Sequence, residues 1–531
     1  MEFDYIVAGA GAAGCVVAGR LARAGMTVCL IEAGPPDRNP LIPIPGANVV
    51  TGTHPAINWA FQSEPEPHLN GRSLYWAQGR VLGGSGSING MMYARGQPEN
   101  YDAWVAAGAE GWDYTSVLRA YRKAETNERG ESDLHGGSGP LQVSKGVPTA
   151  PVCDMFLEAA AGAGIPTSDD LSRPARESFG HWDQTLSKGR RSSTARAYLR
   201  DRKVTSLVTI MTDTMAEKVL FTGQRAVGLR VRGRTGVQDL RARREVVLSG
   251  GAVNSPTLLL QSGIGPADEL RALGIDVVCD LPQVGRHLQN HTSYKFLFKT
   301  NAPVTAYSAL SPKGAVTAGL SYAFGRKGIL SRGLFPTGGT FRVGDAAHEA
   351  MQICMAPALV IRRKPGVLRV LPQEHGFTLL MNQGIPRSQG SIRLRSADPR
   401  VRPMILGNHL ADPADADVLI KGTARIREIM AQPAMAKVLG DEIRQGPAPR
   451  TRAEWQEELA NSINAHYHPG GSCRIGPAGV GVVSPELRVH GVDGLRVIDA
   501  SVMPLLVNGN TYAPTIMIAE RGAEFLLAAA V

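Results

Sequence analysis

The stretch from Tyr5 to Glu32 constrains this chain more than any other. The apolar run Tyr5-Ile-Val-Ala8 predicts a short strand, and Gly9-Ala-Gly11-Ala12-Ala13-Gly14 a tight turn. Cys15-Val-Val-Ala-Gly-Arg-Leu-Ala-Arg then predicts a helix, and Met26-Thr-Val-Cys-Leu-Ile31 a second strand that ends at Glu32. In a turn of this kind Gly9 permits the bend, Gly11 lets the backbone approach a pyrophosphate, and Gly14 lets the helix lie against the strand. The helix N-terminus then faces the phosphate charge. Glu32 follows Gly14 by eighteen residues, where a carboxylate accepts hydrogen bonds from ribose hydroxyls and repels a 2′-phosphate. Strand, triplet, helix, second strand and acid arrive in order, which points to an adenine dinucleotide rather than a glycine-rich turn between core elements. The triplet alone does not separate NAD from FAD.

The rest of the chain is too long for one core. At ~150 residues per domain, 531 residues suggest two to four domains or lobes. A peptide hormone, a small disulfide module and a lone binding domain are excluded. The 43% of hydrophobic and 20% of charged residues are those of a globular protein, not of a disordered or polytopic membrane one. The net charge of +10 has no focus: its densest basic cluster, Arg241-Ala-Arg243-Arg244, has no interleaved aromatics. An ordinary solvated surface is expected, with no nucleic-acid partner.

Six cysteines (Cys15, Cys29, Cys153, Cys279, Cys354, Cys473) stand without a CxxC or a zinc-like spacing, so no metal site is expected and a reducing compartment is the simpler reading. The N-terminus enters a strand pattern with no basic and apolar leader, and no run approaches the ~18 apolar residues a membrane span needs. A cytoplasmic location without a transmembrane segment is the expectation.

Glycine is in excess, 61 residues in all, and six of them fall between Gly79 and Gly96: Gly79-Arg80-Val-Leu-Gly83-Gly84-Ser85-Gly86-Ser-Ile88-Asn89-Gly90-Met91-Met-Tyr-Ala-Arg-Gly96. So much backbone freedom beside embedded apolar residues suggests main chain pressed against a flat ligand rather than a free linker. Here the sequence resembles the glucose-methanol-choline (GMC) oxidoreductases, a flavoenzyme family. Gly79 through Asp102 fits that family's first signature, and Gly251-Ala-Val-Asn-Ser255-Pro256 through Gly265 its second. Similarity continues at Arg191-Ser192-Ser193, Ala197-Tyr198-Leu199, Val284-Gly285 and Arg393 to Pro399, most of all to the choline dehydrogenase and sorbose dehydrogenase branch. The resemblance implies FAD rather than NAD, with Arg80, Gly83, Gly84, Ser85, Asn89, Gly90 and Met91 among its contacts. It adds Ala216 near adenine and Asp499 with Ala500 near the pyrophosphate or ribityl chain. Some relatives attach the flavin through a histidine just before the asparagine. Here that position is Ile88, so noncovalent FAD is expected.

Alcohol oxidation needs a base for the hydroxyl proton, an acceptor for the hydride, and donors for the developing alkoxide. Near the C-terminus, His466-Tyr-His468-Pro469-Gly-Gly-Ser-Cys473 is followed by Asp499-Ala500 and Asn508-Gly-Asn510-Thr511-Tyr512-Ala-Pro514. This resembles the family's active-site tail, with His468 in the base position and Asn510 in the second catalytic position. Neutral imidazole takes a proton at physiological pH. Asn510 does not titrate, so it reads as a donor to the substrate oxygen, where many relatives place a second histidine. If the segment is extended, His466 faces the same side as His468 and is its neighbour. Thr515 to Leu527 predicts an apolar helix whose positive end, with Thr511, lies where reduced flavin gathers charge.

The expected fold is α/β, α+β overall: a Rossmann-like FAD-binding domain plus a substrate-binding domain with an antiparallel sheet covered by helices. The cofactor motifs assign 1–155, 200–290 and 462–531 to the first, discontinuous in sequence, and 156–199 and 291–461 to the second. Arg387 to Arg395 reads as a turn followed by a half-buried strand. Trp59, Met91, Met92, Tyr93 and Tyr512 are candidates to border the pocket. A quaternary ammonium substrate asks for aromatics plus a carboxylate, a polyol for several polar donors, and neither set is legible. The expected reaction is oxidation of an alcohol by hydride transfer to flavin N5 with His468 as base. Oxygen, a quinone or a dye is the electron acceptor, so an oxidase is an alternative, and a non-redox hydroxynitrile lyase-like member a more distant one.

Overall fold

β1 (Glu2–Ala8) is buried without interruption from Tyr5 to Ala8, as a strand is when layers cover both faces of a parallel sheet. The computed structural model describes residues 1–364, 367–369, 374–444 and 446–530. β1 lies between β2 (Val28–Ile31) and the long strand Gly236–Leu248, parallel to both. Beyond β2 lies Val208–Met211, also parallel. The long strand changes role along its length. Its start pairs antiparallel with Arg225–Gly233, itself paired with Met215–Thr222, and its end pairs parallel with Leu495–Val497. Where the roles change, β1 slips register: Phe3 faces Ala242 and Tyr5 faces Glu245, a bulge that restores the parallel ladder. One seven-stranded sheet thus gathers chain from the N-terminus, the middle and the C-terminus. α1 (Ala12–Arg23) packs beside the C-terminal helix Tyr512–Ala528, and Arg20 pairs with Glu520 at 2.8 Å between them.

The second sheet is also seven-stranded and antiparallel, in the order Leu439–Glu442, Thr292–Thr300, Gly376–Gln383, Ala350–Ala356, Thr337–Arg342, Ser178–His181, with Asn464–Ala465 also on Thr292–Thr300. Its two faces differ by strict alternation. Tyr294, Phe296, Phe298, Phe377, Leu379 and Met381 enter a core completed by the helices Pro151–Gly162 and Pro413–Met430. Ser293, Lys295, Leu380, Asn382, Gln352 and Cys354 alternate with those rows and belong to the other face.

One placement differs from the sequence expectation. Asn464–Ala465, expected with the flavin lobe, hydrogen-bonds into the second sheet, because Thr292 and Ser293 offer an edge beside it. The half-buried strand expected within 387–395 is present as Ser391–Arg393, with Ile392 buried, paired with Met404–Leu406 in a separate two-stranded sheet. Among the described residues no helix is long and apolar enough to cross a membrane.

Candidate active site

A large cavity runs between the two sheets, and most of the expected residues line it. Gly9, Gly11, Ala12 and Ala13 form its wall at the first turn. Glu32 and Ala216 stand at one end. Gly84, Ser85, Asn89, Gly90 and Met91 follow, with Ile88 at the position where some relatives carry histidine. Asp499, Ala500, Asn510 and Thr511 close the wall from the C-terminal segment. Of the candidate border residues, Trp59, Met91, Met92 and Tyr512 line it. Tyr93 does not. It is buried with its ring beneath the Arg95 guanidinium, 5.5 Å away.

Three expected cofactor contacts do not line the cavity. Gly14 is behind the turn, where a Cβ would sit 1.9 Å from the Gly9 carbonyl oxygen: its task is helix-to-strand packing. Gly83 adopts φ +91° and donates its N–H to the Ala10 carbonyl at 2.8 Å, which ties the second cluster to the first. Arg80 is exposed, its guanidinium over the Trp59 ring at 5.3 Å, and only its main chain packs inward, against Gly34. Part of the second glycine cluster therefore packs main chain against main chain. A Cβ at Gly84 would lie 2.6 Å from Gly11 Cα, so the two glycine-rich loops touch through main chain.

The residues present suit an adenine dinucleotide. α1 has no side-chain cap at Gly11 and no acid in its first turn, so its amides and positive end are left for an anion. A Cβ at Gly11 would meet only Ser249 O, at 3.9 Å, so the space before it is open. Glu32 accepts from the amides of Ala10 (3.2 Å) and Gly34 (2.8 Å), which leaves lone pairs for hydroxyl donors. Burial pushes its carboxyl up to about 7 against those two bonds. Asp499 accepts from the Gly251 and Ser501 amides, each at 2.8 Å, and from the Ser255 hydroxyl, and burial raises its carboxyl too.

At the other end the chain builds a histidine pair. Residues 289–293 and 464–470 run antiparallel. Thr292 faces Ala465 and Gln289 faces Gly470, so three steps on one side match five on the other. The two extra residues bulge out around Tyr467, which adopts φ +64°, and this carries His468 out of the ladder. His466 and His468 do both line the cavity, through this kink rather than through an extended strand, with ring centroids 4.7 Å apart. His468 N–H donates to Asn290 Oδ1 at 2.9 Å, which pins the bulge.

The hydrogen bonds assign the tautomers. His291 Nε2 lies 3.1 Å from Val507 O, which only accepts, so this nitrogen carries the proton. His291 Nδ1 is then an acceptor, and it lies 3.0 Å from His468 Nδ1, which must donate. His468 Nε2 is left with its lone pair and takes the N–H of Asn510 Nδ2 at 3.1 Å. Gln352 Nε2 donates to Asn510 Oδ1 at 3.1 Å and fixes the amide's orientation. Burial, reinforced by His466 and His291, holds His468 well below the ordinary imidazole range, and burial lowers His291 to about 4. Both rings are neutral at physiological pH. The site can take a proton at His468 Nε2 and offer an N–H to an oxygen from Asn510. His291, Gln352, Asn290 and Asn382 escape the sequence reading. A lone histidine or amide before or within a strand has no local signature, and pairing with 464–470 is what gives these residues a role.

Two family models described as GMC oxidoreductase match residues 3–293 and 386–519. Over 532 residues the chain is 40% identical to an alcohol dehydrogenase [acceptor] of Pseudomonas putida, covering 99% of this chain and 96% of that protein. It is 39% identical over 536 residues to human mitochondrial choline dehydrogenase, covering 99% and 90%. Among solved structures, pyridoxine 4-oxidase from Mesorbium loti matches with TM-score 0.88 at 29% identity over 98% of both chains. A formate oxidase structure matches with TM-score 0.92 at 23% identity over 99% of this chain and 98% of the other, a likeness of fold. The fold and site are those of a flavin-dependent oxidoreductase acting on CH–OH donors. The chain belongs to the GMC oxidoreductase family, and its reaction is FAD-dependent oxidation of an alcohol.

Proposed function

We propose that the alcohol is oxidised at His468 and Asn510, with FAD held noncovalently in the glycine-lined part of the cavity. One observation carries this reading: His468 stands between His291 and Asn510 with its Nε2 lone pair turned to the asparagine amide. A substrate hydroxyl placed between the two side chains gives its proton to His468 Nε2, while Asn510 Nδ2–H steadies the oxygen as negative charge develops. Bound FAD supplies the acceptor for the hydride leaving the carbinol carbon. His291 receives the Nδ1–H bond of His468 and keeps the reactive nitrogen on the cavity side. Noncovalent binding is supported by Ile88, which has no nucleophilic atom where some relatives have histidine. A cytoplasmic site of action is in keeping with six free cysteines.

The test is anaerobic mixing of the holoenzyme with a panel of primary and secondary alcohols, including choline, while the flavin absorbance is followed. Bleaching by at least one alcohol is expected. No bleaching by any would overturn the reading. Admitting oxygen afterwards separates an oxidase, which recovers its colour quickly, from a dehydrogenase that needs a quinone or dye.

A further inference from the structure

Three arginines are buried among the described residues, and two of them have a carboxylate. Arg95 meets Glu125 at 2.6 Å and Arg496 meets Glu245 at 2.8 Å. Arg191, 1% exposed, has none. Its guanidinium donates only to uncharged oxygens: Nε to the Ile42 carbonyl at 3.0 Å, and Nη1 to the Gly86 carbonyl at 3.3 Å and to Asn89 Oδ1 at 2.7 Å. Nη2 reaches no acceptor in the protein. Tyr512 is the titratable group that acts on it, and burial pushes that phenol up to about 12, so it is neutral at physiological pH. Burial brings Arg191 itself down only to about 10, so it keeps its charge. A charge taken out of water without a partner is a heavy cost to a fold, and the other two buried arginines avoid it.

Arg191 stands directly behind the second glycine cluster. Gly86 and Asn89 belong to that cluster, and Asn89 lines the cavity with Gly90 and Met91. Asn89 Oδ1 accepts twice, from Arg191 Nη1 and from the Met91 amide at 3.1 Å. The side-chain amide is thereby fixed. Its oxygen is turned to Arg191, and its Nδ2–H2 group, bonded to nothing among the described residues, is left as a donor on a residue of the cavity wall. Tyr512 is the first residue of the C-terminal helix and also lines the cavity, and it lies against Gly86, where a Cβ would be 2.6 Å from the phenol oxygen. The first turn of that helix has no acid and no side-chain cap. Its positive end and the Arg191 charge therefore act with one sign on the same stretch of wall. In a flavoenzyme the group that gathers negative charge there is the flavin, when it accepts the hydride.

We propose that Arg191 is a positioning residue for the flavin: its charge, left without a carboxylate, and the Asn89 amide that it orients together favour the reduced, negatively charged state of bound FAD. The proposal rests on FAD occupying the glycine-lined part of the cavity. Its test is the midpoint potential of the bound flavin, titrated with dithionite against a reference dye in the native holoenzyme, Arg191→Gln and Arg191→Lys. Both variants break up the guanidinium's set of bonds, and only Arg191→Lys keeps a charge. Arg191→Gln is expected to move the equilibrium toward oxidised flavin by about tenfold or more, as loss of a nearby charge moves an ionisation. For two electrons that is a midpoint about 30 mV lower. Arg191→Lys is expected to match the native enzyme at about pH 6 and to fall toward Arg191→Gln by about pH 10, because a buried ammonium titrates where the guanidinium does not. An unchanged midpoint in flavin-loaded Arg191→Gln, or equal shifts in the two variants at about pH 6, overturns the proposal and leaves Arg191 a packing role. Where Arg191→Gln fails to fold or to load, Arg191→Lys decides alone: a midpoint parallel to the native one from about pH 6 to about pH 10 overturns it. Dithionite takes the place of an alcohol here, so failure of the underlying reading looks different: native protein that takes up no FAD.

Discussion

At the residue scale, the site turns on which nitrogen of His468 is bare, and that is settled two bonds away, at the Val507 carbonyl that fixes His291. Because burial holds the His468 pKa well below the usual imidazole value, its base form persists at pH values where an exposed histidine would be protonated. The acid limb of kcat/KM is therefore expected below ~6.5, the unperturbed value, with a flat profile from there to neutrality. A rate that halves at or above that pH in a profile of flavin reduction contradicts the burial. His468→Ala is expected to lower flavin reduction by about 10²–10⁴-fold while bound FAD is retained. His291→Phe removes the acceptor for Nδ1–H and frees His468 to rotate or change tautomer. A loss of about tenfold or more in kcat is expected, with rescue by His291→Asn, whose amide oxygen can accept the same bond. Equal loss in both variants with unchanged FAD content would assign His291 no positioning role. His468 and Asn510 were legible because both sit in the C-terminal motif. His291 was not, because its partner is 177 positions away and nothing local announces the pairing.

At the scale of elements, the opening strand, turn and helix were readable in full because every part is local: one apolar run, one triplet, one acid. The same reading gives Gly11 the approach to a ligand and Gly14 the packing of helix on strand, and the surroundings of the two glycines differ in that way. Gly11 faces open space, whereas Gly14 is pressed on the Gly9 carbonyl. Substitutions should separate these roles. Gly11→Val is expected to keep the thermal midpoint of the apoprotein nearly unchanged and to abolish FAD uptake. Gly14→Ala forces helix and strand apart, an overlap of the kind that costs about 1–3 kcal/mol, and is expected to lower the apoprotein midpoint itself. Thermal scanning of apoprotein and the ratio of flavin to protein absorbance measure the two effects. A midpoint that falls in Gly11→Val as far as in Gly14→Ala would merge the roles. In the second sheet, alternation such as Tyr294, Phe296, Phe298 against Ser293, Lys295, Leu297 is visible in the sequence, but which strands lie beside it is not. That pairing places Gln352 behind Asn510 and Lys295 beside Leu380.

At the scale of the molecule, the cavity is walled by both sheets, and the first sheet is itself assembled from three separated stretches of chain. Gly9, Ala216, Asn89 and Asp499 all line the cavity, so a ligand that spans it would tie together segments that are far apart in the chain. A group that binds only the folded chain stabilises it by mass action, about 1.4 kcal/mol for each tenfold of free FAD above the dissociation constant. The thermal midpoint is therefore expected to climb with added FAD over several decades of concentration. This dependence requires an exchangeable cofactor. Ile88, which has no nucleophilic atom, lines the cavity, and burial raises the thiols of Cys15, Cys354 and Cys473 away from the reactive thiolate. Acid precipitation of the holoenzyme is expected to leave the yellow colour in the supernatant. Flavin that stays with the pellet, together with a midpoint indifferent to added FAD, would mean that another side chain along the cavity wall forms the bond.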